Sequence, residues 1–373
     1  MNTKINVMEW IKNKDWQHLA QRYDWIADMH GVPQDPVHHA EGDVAVHTQM
    51  VLEALRALPG YQVLDPEAQE ILWMAALLHD VEKRSTTFTE ADGSIVSPGH
   101  AKKGALTARH ILYTQFDLPF TIREQIVYLV RYHGLPLWLM HKPDPLKALL
   151  KASLLVNTEW LALLARADMM GRICTDQDEL LERVGFFEAY AREQNCWGIP
   201  YAFANELSRF RYFQTEDGHP DYVPFDNTTC EVIVMSGLPG MGKDHHIRKF
   251  FYDLPVISLD TIRKEHKLKP EDKSANGWVA QQAKELARSY LRVGQSFVWN
   301  ATNITSTMRR QLIDLLSSYK ASIRIVYLEQ PYKVWFRQNG ERTEEVPAAV
   351  LEKMLRKLEI PEPAEAHIVE YIV

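Results

Sequence analysis

The run GLPGMGKD, residues 237–244, carries the clearest chemistry in the chain, since it follows an apolar segment and precedes a helix-forming one. A glycine-rich turn between a strand and a helix directs backbone N–H groups into one concavity that suits phosphate. Lys243 adds a cation for the β- and γ-phosphate oxygens. The run therefore predicts a nucleoside triphosphate site, and a glycine-rich turn without a ligand is the alternative. The predicted binding residues are Gly237, Leu238, Pro239, Gly240, Met241, Gly242, Lys243 and Asp244.

One position of this loop departs from the usual pattern. Asp244 follows the lysine, where Ser or Thr normally supplies a hydroxyl ligand to Mg²⁺. A carboxylate also binds Mg²⁺, but it adds negative charge beside the phosphates. We therefore expect ATP or another nucleoside triphosphate with Mg²⁺ or Mn²⁺ here. Asp244 weakens the case for the usual metal geometry more than the case for phosphate binding.

Side chains after the loop could act on a transferred phosphoryl group. Asp260 ends a predicted strand, so its carboxylate would face the ligand crevice and accept a proton from an attacking hydroxyl. Arg263, one helical turn later, could hold a substrate phosphate, although a helix N-cap is the alternative role for Asp260. Arg337 and Arg342 lie in a segment, 331–347, that suits a lid closing on the triphosphate and stabilising charge. A solvated charged face is the alternative for these two arginines.

Imidazole and carboxylate side chains form a second group of candidates in the first half of the chain. Most of them continue the apolar stripe of a separate predicted helix, so they would face inward. A single buried histidine is usually hydrogen-bonded within a core, but burying this many polar groups is costly unless they share a cation. The mixed ligands suit Mn, Fe, Co, Ni, Cu or Zn, and two ions bridged by Asp80 suit phosphoester hydrolysis. The predicted ligands are His47, His79, Asp80, His100, His133 and Asp168.

The hydrophobic pattern assigns these two groups to two domains of different class. Up to about residue 213 the apolar spacing is helical, without convincing alternation for strands. From residue 230 onward, short β-rich runs alternate with helices, which predicts a parallel sheet with crossover helices. The turn-rich stretch between them predicts a linker. The expected division is an all-α domain at 1–214, a linker at 215–229 and an α/β P-loop domain at 230–373, with strands at 231–236, 256–259, 297–300, 322–328 and 367–373.

Composition limits the class of protein. Hydrophobic residues make up 46% of the 373 residues and charged residues 24%, which is enough apolar content for two cores. A net charge of −7 argues against long non-specific contact with a duplex, but not against binding one nucleic-acid end in a local basic cleft. We see no membrane-length apolar run, no signal-peptide core and no metal-site spacing of the three cysteines. We therefore expect a cytoplasmic protein without a membrane partner.

The order H…HDxxK…H…H…D resembles the HD phosphohydrolase superfamily, with HDVEK at residues 79–83 as the central motif. The resemblance implies a helical fold. It also implies a dinuclear site that includes His100 and His133, and a place for Lys83 beside the scissile phosphate.

The stretch PQDPVHHAEGDVAVHT, residues 33–48, resembles the leading motif of HD domains attached to RNA-processing enzymes. On that resemblance His38 and His39 would face the phosphate. Either of them could replace His47 as the first ligand, although His47 has the better helical placement.

The second half of the chain resembles the phage-type polynucleotide 5′-kinases. Asp260 and Arg263 match their Asp–x–x–Arg, which implies that Asp260 is the general base for a 5′-OH and that Arg263 contacts the 3′-flanking phosphate. Arg342 and, approximately, Arg337 match two lid arginines before a Val-Pro. Ala301 stands where those kinases have the first acid of an Asp-Thr-Asn turn. The resemblance implies a five-stranded parallel P-loop core with a helical lid, like adenylate kinase.

An HD domain followed by such a kinase resembles the bacterial HD-Pnk end-healing enzymes over roughly residues 30–373. The resemblance implies hydrolysis of 2′,3′-cyclic phosphate and 2′- or 3′-phosphate ends by the first domain. It implies phosphorylation of 5′-OH ends of RNA or DNA by the second, after which a ligase could join the ends. Two alternatives stay open: a small-molecule or nucleoside kinase fused to an HD nucleotidase, and a regulatory protein in which ATP binding gates a degenerate HD module.

Overall fold

The structure, a computed structural model, describes residues 10–269, 272–341 and 345–373. The chain divides into two compact units, Met1–Ala202 and Phe203–Val373. The first unit is helical apart from one short hairpin, and the second contains a five-stranded sheet. Each unit has its own buried apolar residues.

The boundary between the units falls earlier than the expected residue 214. The helix Glu206–Gln214 belongs to the second unit because Phe210 is buried in the core formed by that unit's strands. Arg209 on the same helix donates hydrogen bonds to backbone carbonyls near the end of the chain. Residues 215–229 contain no helix or strand.

The first unit is helical, as the apolar spacing predicts, except for an antiparallel hairpin of β1 (Phe88–Thr89) and β2 (Ile95–Val96). Sequence analysis missed this hairpin because strands of two residues are too short to show alternation. The helices of this unit are α1 (Trp16–Arg22), α2 (Asp24–Ala27), α3 (Val44–Ala57), α4 (Pro59–Gln62), α5 (Pro66–Leu78), α6 (Lys83–Thr86), α7 (His100–Gln115), α8 (Phe120–Tyr132), α9 (Leu135–Trp138), a 3₁₀ turn (Leu139–His141), α10 (Pro145–Ser153), α11 (Thr158–Met170) and α12 (Gln177–Glu193).

Helix α5 is the centre of the first unit. Every residue from Ile71 to Leu78 is buried, and a helix that is apolar all round must be surrounded by others. Helices α3, α8 and α11 pack against it. Side-chain caps define where three of these helices begin, because Asp43, Asp65 and Asn157 accept backbone N–H bonds from α3, α5 and α11. The core thus fixes the ends of the helices that carry the predicted metal ligands.

Within the described residues, we find no single helix that is long and apolar enough to cross a membrane. The pair α10 and α11 passes a length and composition test only when the two are joined, and they meet at 109°. The apolar faces of both helices are buried within the first unit.

The second unit is an α/β domain with a five-stranded parallel sheet, as predicted. Its strands are β3 (Cys230–Ser236), β4 (Val256–Ser258), β5 (Phe297–Asn300), β6 (Ala321–Leu328) and β7 (Ile368–Ile372). Its helices are α13 (Glu206–Gln214), α14 (Lys243–Phe250), α15 (Leu259–Glu265), α16 (Lys273–Arg292), α17 (Ser306–Ser318), α18 (Tyr332–Gly340), α19 (Ala348–Leu355) and a 3₁₀ turn (Pro363–Glu365).

The strand order β4-β5-β3-β6-β7 places β3 at the centre of the sheet. Residues 232–235 of β3 are all buried, as expected of a central parallel strand covered on both faces. The chain leaves β3 for β4 and β5 on one side and returns to β6 and β7 on the other. Ligands of such sheets bind where the order reverses, at the carboxyl ends of the strands. The glycine-rich loop begins at that end of β3.

Candidate functional site

The predicted metal ligands of the first unit come from helices that are far apart in the chain, yet their side chains converge. His47 lies on α3 and Asp168 on α11, and His47 Nε2 is 3.1 Å from Asp168 Oδ1. His100 begins α7 and His133 follows α8, and their Nε2 atoms are 3.3 Å apart. These two pairs form the two sides of one cluster.

Asp80 lies between the two pairs. Its Oδ2 is 3.3 Å from His79 Nε2 and 3.7 Å from His47 Nε2. Its Oδ1 is 3.4 Å from His100 Nε2 and 4.0 Å from His133 Nε2. Each oxygen of this carboxylate therefore faces its own set of imidazoles, which is the arrangement needed to bridge two cations.

Three of the imidazoles are oriented by the backbone. The Nδ1 atoms of His79, His100 and His133 each lie 2.7–2.8 Å from the carbonyl oxygen three residues earlier. A carbonyl can only accept, so Nδ1 is the donor, and in the neutral ring Nε2 carries the lone pair. A metal-binding histidine is normally held in this way.

Buried atoms of the cluster lack hydrogen-bond partners among the described residues. These atoms are His47 Nε2, His79 Nε2 and Asp80 Oδ1, in side chains that are at most 2% exposed. An unsatisfied buried polar atom is costly, and a cation shared by these atoms would remove the cost. The residues present therefore fit divalent transition-metal ions.

The charge state of the cluster also fits a cation. Burial would raise the pKa of Asp80, but Lys83 and His79 beside it hold that pKa well below its usual value. Burial would also raise the pKa of Asp168. Arg172 and the neighbouring histidines outweigh burial, so the pKa of Asp168 is well below its usual value. Burial lowers the pKa of His133 to about 3. Ionised carboxylates and a neutral imidazole are the forms that bind metal.

Glu41 is a member of the cluster that the sequence analysis missed. Its Oε1 lies 2.9 Å from His47 Nδ1 and 2.8 Å from His39 Nδ1. Its Oε2 accepts a hydrogen bond of 2.9 Å from the backbone N–H of Ile173, and the side chain is fully buried. Glu41 thus places a carboxylate beside the outer ring nitrogen of His47. Its loop position gave no sign of this role, because an isolated acid in a loop is usually at the surface.

Arg172 is a second residue that was missed. Its guanidinium makes a bidentate contact with Asp168, with bonds of 2.9–3.0 Å, and the spacing of four residues could have suggested the pair. Lys83, which the HD resemblance places beside the scissile phosphate, is buried. Its Nζ lies 2.8 Å from Asp80 Oδ2 and donates to Gln34 Oε1 at 2.7 Å. Both cations therefore lie against the carboxylates of the cluster.

A cavity of about 650 Å³ opens over the cluster. Its lining includes His38 and His39, together with Lys83 on the floor. His38 is 58% exposed, with its Nδ1 3.8 Å from Asp176 Oδ2. His47 lies against both Asp80 and Asp168, and His39 lies with Glu41 and His47 in a second group of possible ligands.

In the second unit, the glycine-rich loop has the backbone geometry of a phosphate cradle. Gly237, Gly240 and Gly242 all have positive φ, at 141°, 83° and 87°. A Cβ added at Gly237 would come within 2.5 Å of the Leu328 carbonyl oxygen, so that position requires glycine. Lys243 begins α14, and its Nζ donates to two loop carbonyls at 2.8 Å. The side chain of Lys243 therefore lies across the loop in which it is expected to bind phosphate.

The remaining predicted residues of this site lie near the carboxyl ends of the neighbouring strands. Asp260 follows β4, and its side chain is 84% exposed. Ser258, not Asp260, caps α15 through its side chain, so the N-cap alternative for Asp260 is wrong. Arg263 forms an ion pair with Asp260. Asp244 accepts a 2.7 Å hydrogen bond from the amide of Asn300, which ends β5.

The predicted lid, residues 331–347, is attached to the phosphate loop by a contact that the sequence did not reveal. Trp335 on α18 is buried, and its Nε1 donates to the Pro239 carbonyl oxygen at 2.7 Å. Arg337 on the same helix has a side chain that is 70% exposed. Arg342, the other predicted lid arginine, lies outside the described residues.

Comparison with known proteins bears most directly on this second unit. Residues 232–361 match the family model of the AAA domain. The matched region contains the phosphate loop and the strands around it, so the second unit is similar to a P-loop domain of this family.

Similarity to curated proteins covers only parts of the chain. The chain is 34% identical over 115 residues to the Multifunctional CCA protein of Halorhodospira halophila. This match covers 31% of this chain and 25% of that protein. The chain is 23% identical over 137 residues to the L-seryl-tRNA(Sec) kinase of Methanococcus maripaludis, covering 35% of this chain and 53% of that protein. The matched region thus spans between a quarter and about half of these relatives.

A solved structure of an unliganded sugar kinase from Janibacter sp. HTCC2649 also matches. Its TM-score is 0.30, with 21% identity over 38% of this chain and 85% of that chain. That score is too low for a comparison of the two sites.

Proposed function

We propose that the protein is a bifunctional nucleic-acid end-healing enzyme of the cytoplasm. The first unit hydrolyses 2′,3′-cyclic phosphate and 2′- or 3′-phosphate ends, and the second transfers the γ-phosphate of ATP to 5′-OH ends of RNA or DNA. Together the two reactions prepare both ends for a ligase. The observation that carries the proposal is the buried cluster around Asp80, with its unpartnered ligand atoms, in a chain whose other unit has a phosphate loop.

In the first unit the cluster would hold two divalent transition-metal ions with Asp80 between them. Such ions supply a bound water of lowered pKa and neutralise phosphate charge. The chain's own groups orient the substrate: Lys83 is placed to bind a phosphoryl oxygen, and Arg172 holds Asp168 in its ionised form. The buried floor of the cavity keeps these charges away from bulk water, which strengthens their contacts with the phosphate.

In the second unit the loop N–H groups and Lys243 would bind the phosphates of ATP, and Asp244 would face the accompanying Mg²⁺ or Mn²⁺. Asp260 is exposed at the carboxyl end of a strand, where it can accept the proton of a 5′-OH as the oxygen attacks the γ-phosphorus. Arg263 would hold the phosphate next to that end. Arg337 and Arg342 would stabilise the charge of the transferring group.

One similarity supports an acceptor on RNA over a free nucleoside or sugar. The curated relatives include an L-seryl-tRNA(Sec) kinase and a Multifunctional CCA protein. The first of these names describes phosphorylation of a hydroxyl carried by a tRNA. A hydroxyl at the end of a polynucleotide is the corresponding acceptor for this chain.

The proposal is tested with an RNA oligonucleotide that has a 5′-OH and a 2′,3′-cyclic phosphate, incubated with labelled ATP and Mn²⁺. We expect label at the 5′ end and opening of the cyclic phosphate. Free nucleosides and sugars serve as competing acceptors. Label transfer to those small molecules but not to RNA would replace the polynucleotide kinase with a nucleoside or sugar kinase.

A further inference from the structure

The cavity over the cluster is larger than a phosphoryl group requires. Its volume is about 650 Å³, and sites of roughly 300–1,000 Å³ enclose a whole small-molecule ligand. The two cations nearest its floor, Lys83 and Arg172, are already paired with Asp80 and Asp168. The rest of the cavity therefore has room for a part of the substrate beyond the reacting phosphate.

One wall of this cavity is positively charged. This wall is the segment 131–151, where Arg131, Lys142 and Lys151 line the cavity; the carboxylates of Asp35 and Asp176 line it from other segments. Arg131 lies 5.6 Å from the ring of its neighbour Tyr132. Within the described part of the chain, we find no carboxylate in ion-pair contact with Arg131 or Lys142. The charges of Arg131 and Lys142 are thus available to a second anion, separate from the phosphate over the cluster.

The same wall presents an aromatic side chain. Trp138 lines the cavity and is 46% exposed. The Arg183 guanidinium lies 4.9 Å from the indole centroid, and the His141 ring meets it edge-on at 5.4 Å, so the indole is held in place. A rigid indole beside a phosphate site offers a stacking surface for a base, and such stacking is worth about 1–3 kcal/mol per base.

We propose that this wall is a nucleotide subsite, in which Trp138 stacks on the base of the 3′-terminal nucleoside and Arg131 and Lys142 bind the phosphodiester that precedes it. The inference rests on the proposed phosphoesterase function and deepens it. The substrate class of the first unit is then the end of a polynucleotide chain rather than a simple nucleoside phosphate or a sugar phosphate, because the phosphodiester of the chain supplies the second anion.

Three phosphoester substrates distinguish base stacking from phosphodiester binding when they are tested with the metal-loaded full-length protein. They are p-nitrophenyl phosphate, a nucleoside 2′,3′-cyclic phosphate, and a dinucleotide ending in a 2′,3′-cyclic phosphate. We expect Trp138→Ala to raise KM about 10-fold for both nucleotide substrates and to leave p-nitrophenyl phosphate unchanged. Arg131→Gln and Lys142→Gln should raise KM for the dinucleotide alone. Trp138→Phe, which keeps an aromatic face, should restore most of the loss.

Phe186→Ala and Lys12→Ala are the matched controls, since each removes an exposed aromatic or cationic side chain outside the cavity. Equal losses on all three substrates would overturn the subsite. Binding of a dinucleotide 3′-phosphate in EDTA, measured by calorimetry, tests it without turnover. If the wild type hydrolyses none of the three esters but Trp138→Ala weakens this binding about 10-fold, the proposed hydrolysis fails and the subsite stands. Unchanged binding in Trp138→Ala would refute the subsite whatever the activity.

Discussion

The two candidate sites of this protein are built in opposite ways. The cluster of the first unit collects side chains from five separate places in the chain, and three of its imidazoles are oriented by backbone carbonyls. The site of the second unit is a short continuous loop with exposed groups at neighbouring strand ends, such as Asp260 and Arg337.

The difference follows from what each site has to bind. Metal ions need ligands fixed to within a few tenths of an ångström, and a packed helical core provides that fixation. A phosphate chain needs backbone N–H groups, which a local turn provides without distant partners. Substitutions in the first site should therefore affect metal binding as well as catalysis, whereas substitutions in the second should affect transfer with little effect on the structure.

The largest effect should come from Asp80→Ala, with Asp80→Asn as the variant that keeps the side-chain shape. Because Asp80 contacts four imidazoles, we expect metal content to fall and hydrolysis of the cyclic phosphate to drop more than about 10³-fold. Kinase activity on 5′-OH RNA should stay within about twofold and so report that the protein has folded. Asp117→Ala, at an exposed acid of the same unit, is the control. Full hydrolysis in both Asp80 variants would remove Asp80 from the site.

The opposite result is expected for Asp260→Asn. Loss of the general base should slow phosphoryl transfer to RNA about 10²–10⁴-fold and leave hydrolysis and metal content unchanged. Because Asp260 is exposed, the thermal midpoint should not move. Asp314→Asn, at another exposed acid of the second unit, should behave as the wild type. A transfer rate within threefold of the wild type would show that another group takes the proton.

Glu41→Gln sharpens the comparison inside the first site. The amide keeps the size of the side chain but removes the charge beside His47, so we expect metal affinity to fall about 10–100-fold. Direct metal titration of the full-length protein measures the change, and excess metal should restore hydrolysis. Glu53→Gln, an exposed residue on the same helix as His47, is the control. An unchanged affinity would mean that Glu41 has no part in orienting the ligand.

The smallest effect concerns the stability of the second unit. His367 Nδ1 accepts a 3.0 Å hydrogen bond from the Ile323 N–H, and burial lowers the pKa of this imidazole to about 4. The unfolded imidazole titrates near 6.5, so the unfolded chain binds more protons between these values, and stability falls as the pH falls from about 6.5 towards 4. We expect a loss of roughly 1 kcal/mol between pH 7 and pH 5.5, after allowance for screening by solvent.

Urea unfolding of the full-length protein at the two pH values measures this loss. His367→Gln removes the titrating group, so its unfolding midpoint should change less with pH than that of the wild type. An equal pH dependence in the variant would assign the effect to other groups.

The structure shows which elements of each unit could be predicted from sequence patterns. The five strands were found within one residue of their bounds, because each is an apolar run in a sheet covered on both faces. The domain boundary was placed too late because α13 looks like any other helix in sequence, while Phe210 packs on the sheet. The hairpin β1–β2 was missed because it is held by a turn and a few backbone bonds, without an alternating pattern.

By itself the sequence determined the features that depend on near neighbours: the glycines of the phosphate loop, the helical phase of His47 and Asp168, and the alternation of strands and helices. Only the tertiary structure decided which distant groups meet. Glu41 beside His47 and the indole of Trp138 on the cavity wall are contacts of this kind. The physical reason is that backbone geometry sets the spacing of side chains within a helix or a loop, whereas the packing of separate helices around α5 sets which side chains face one another.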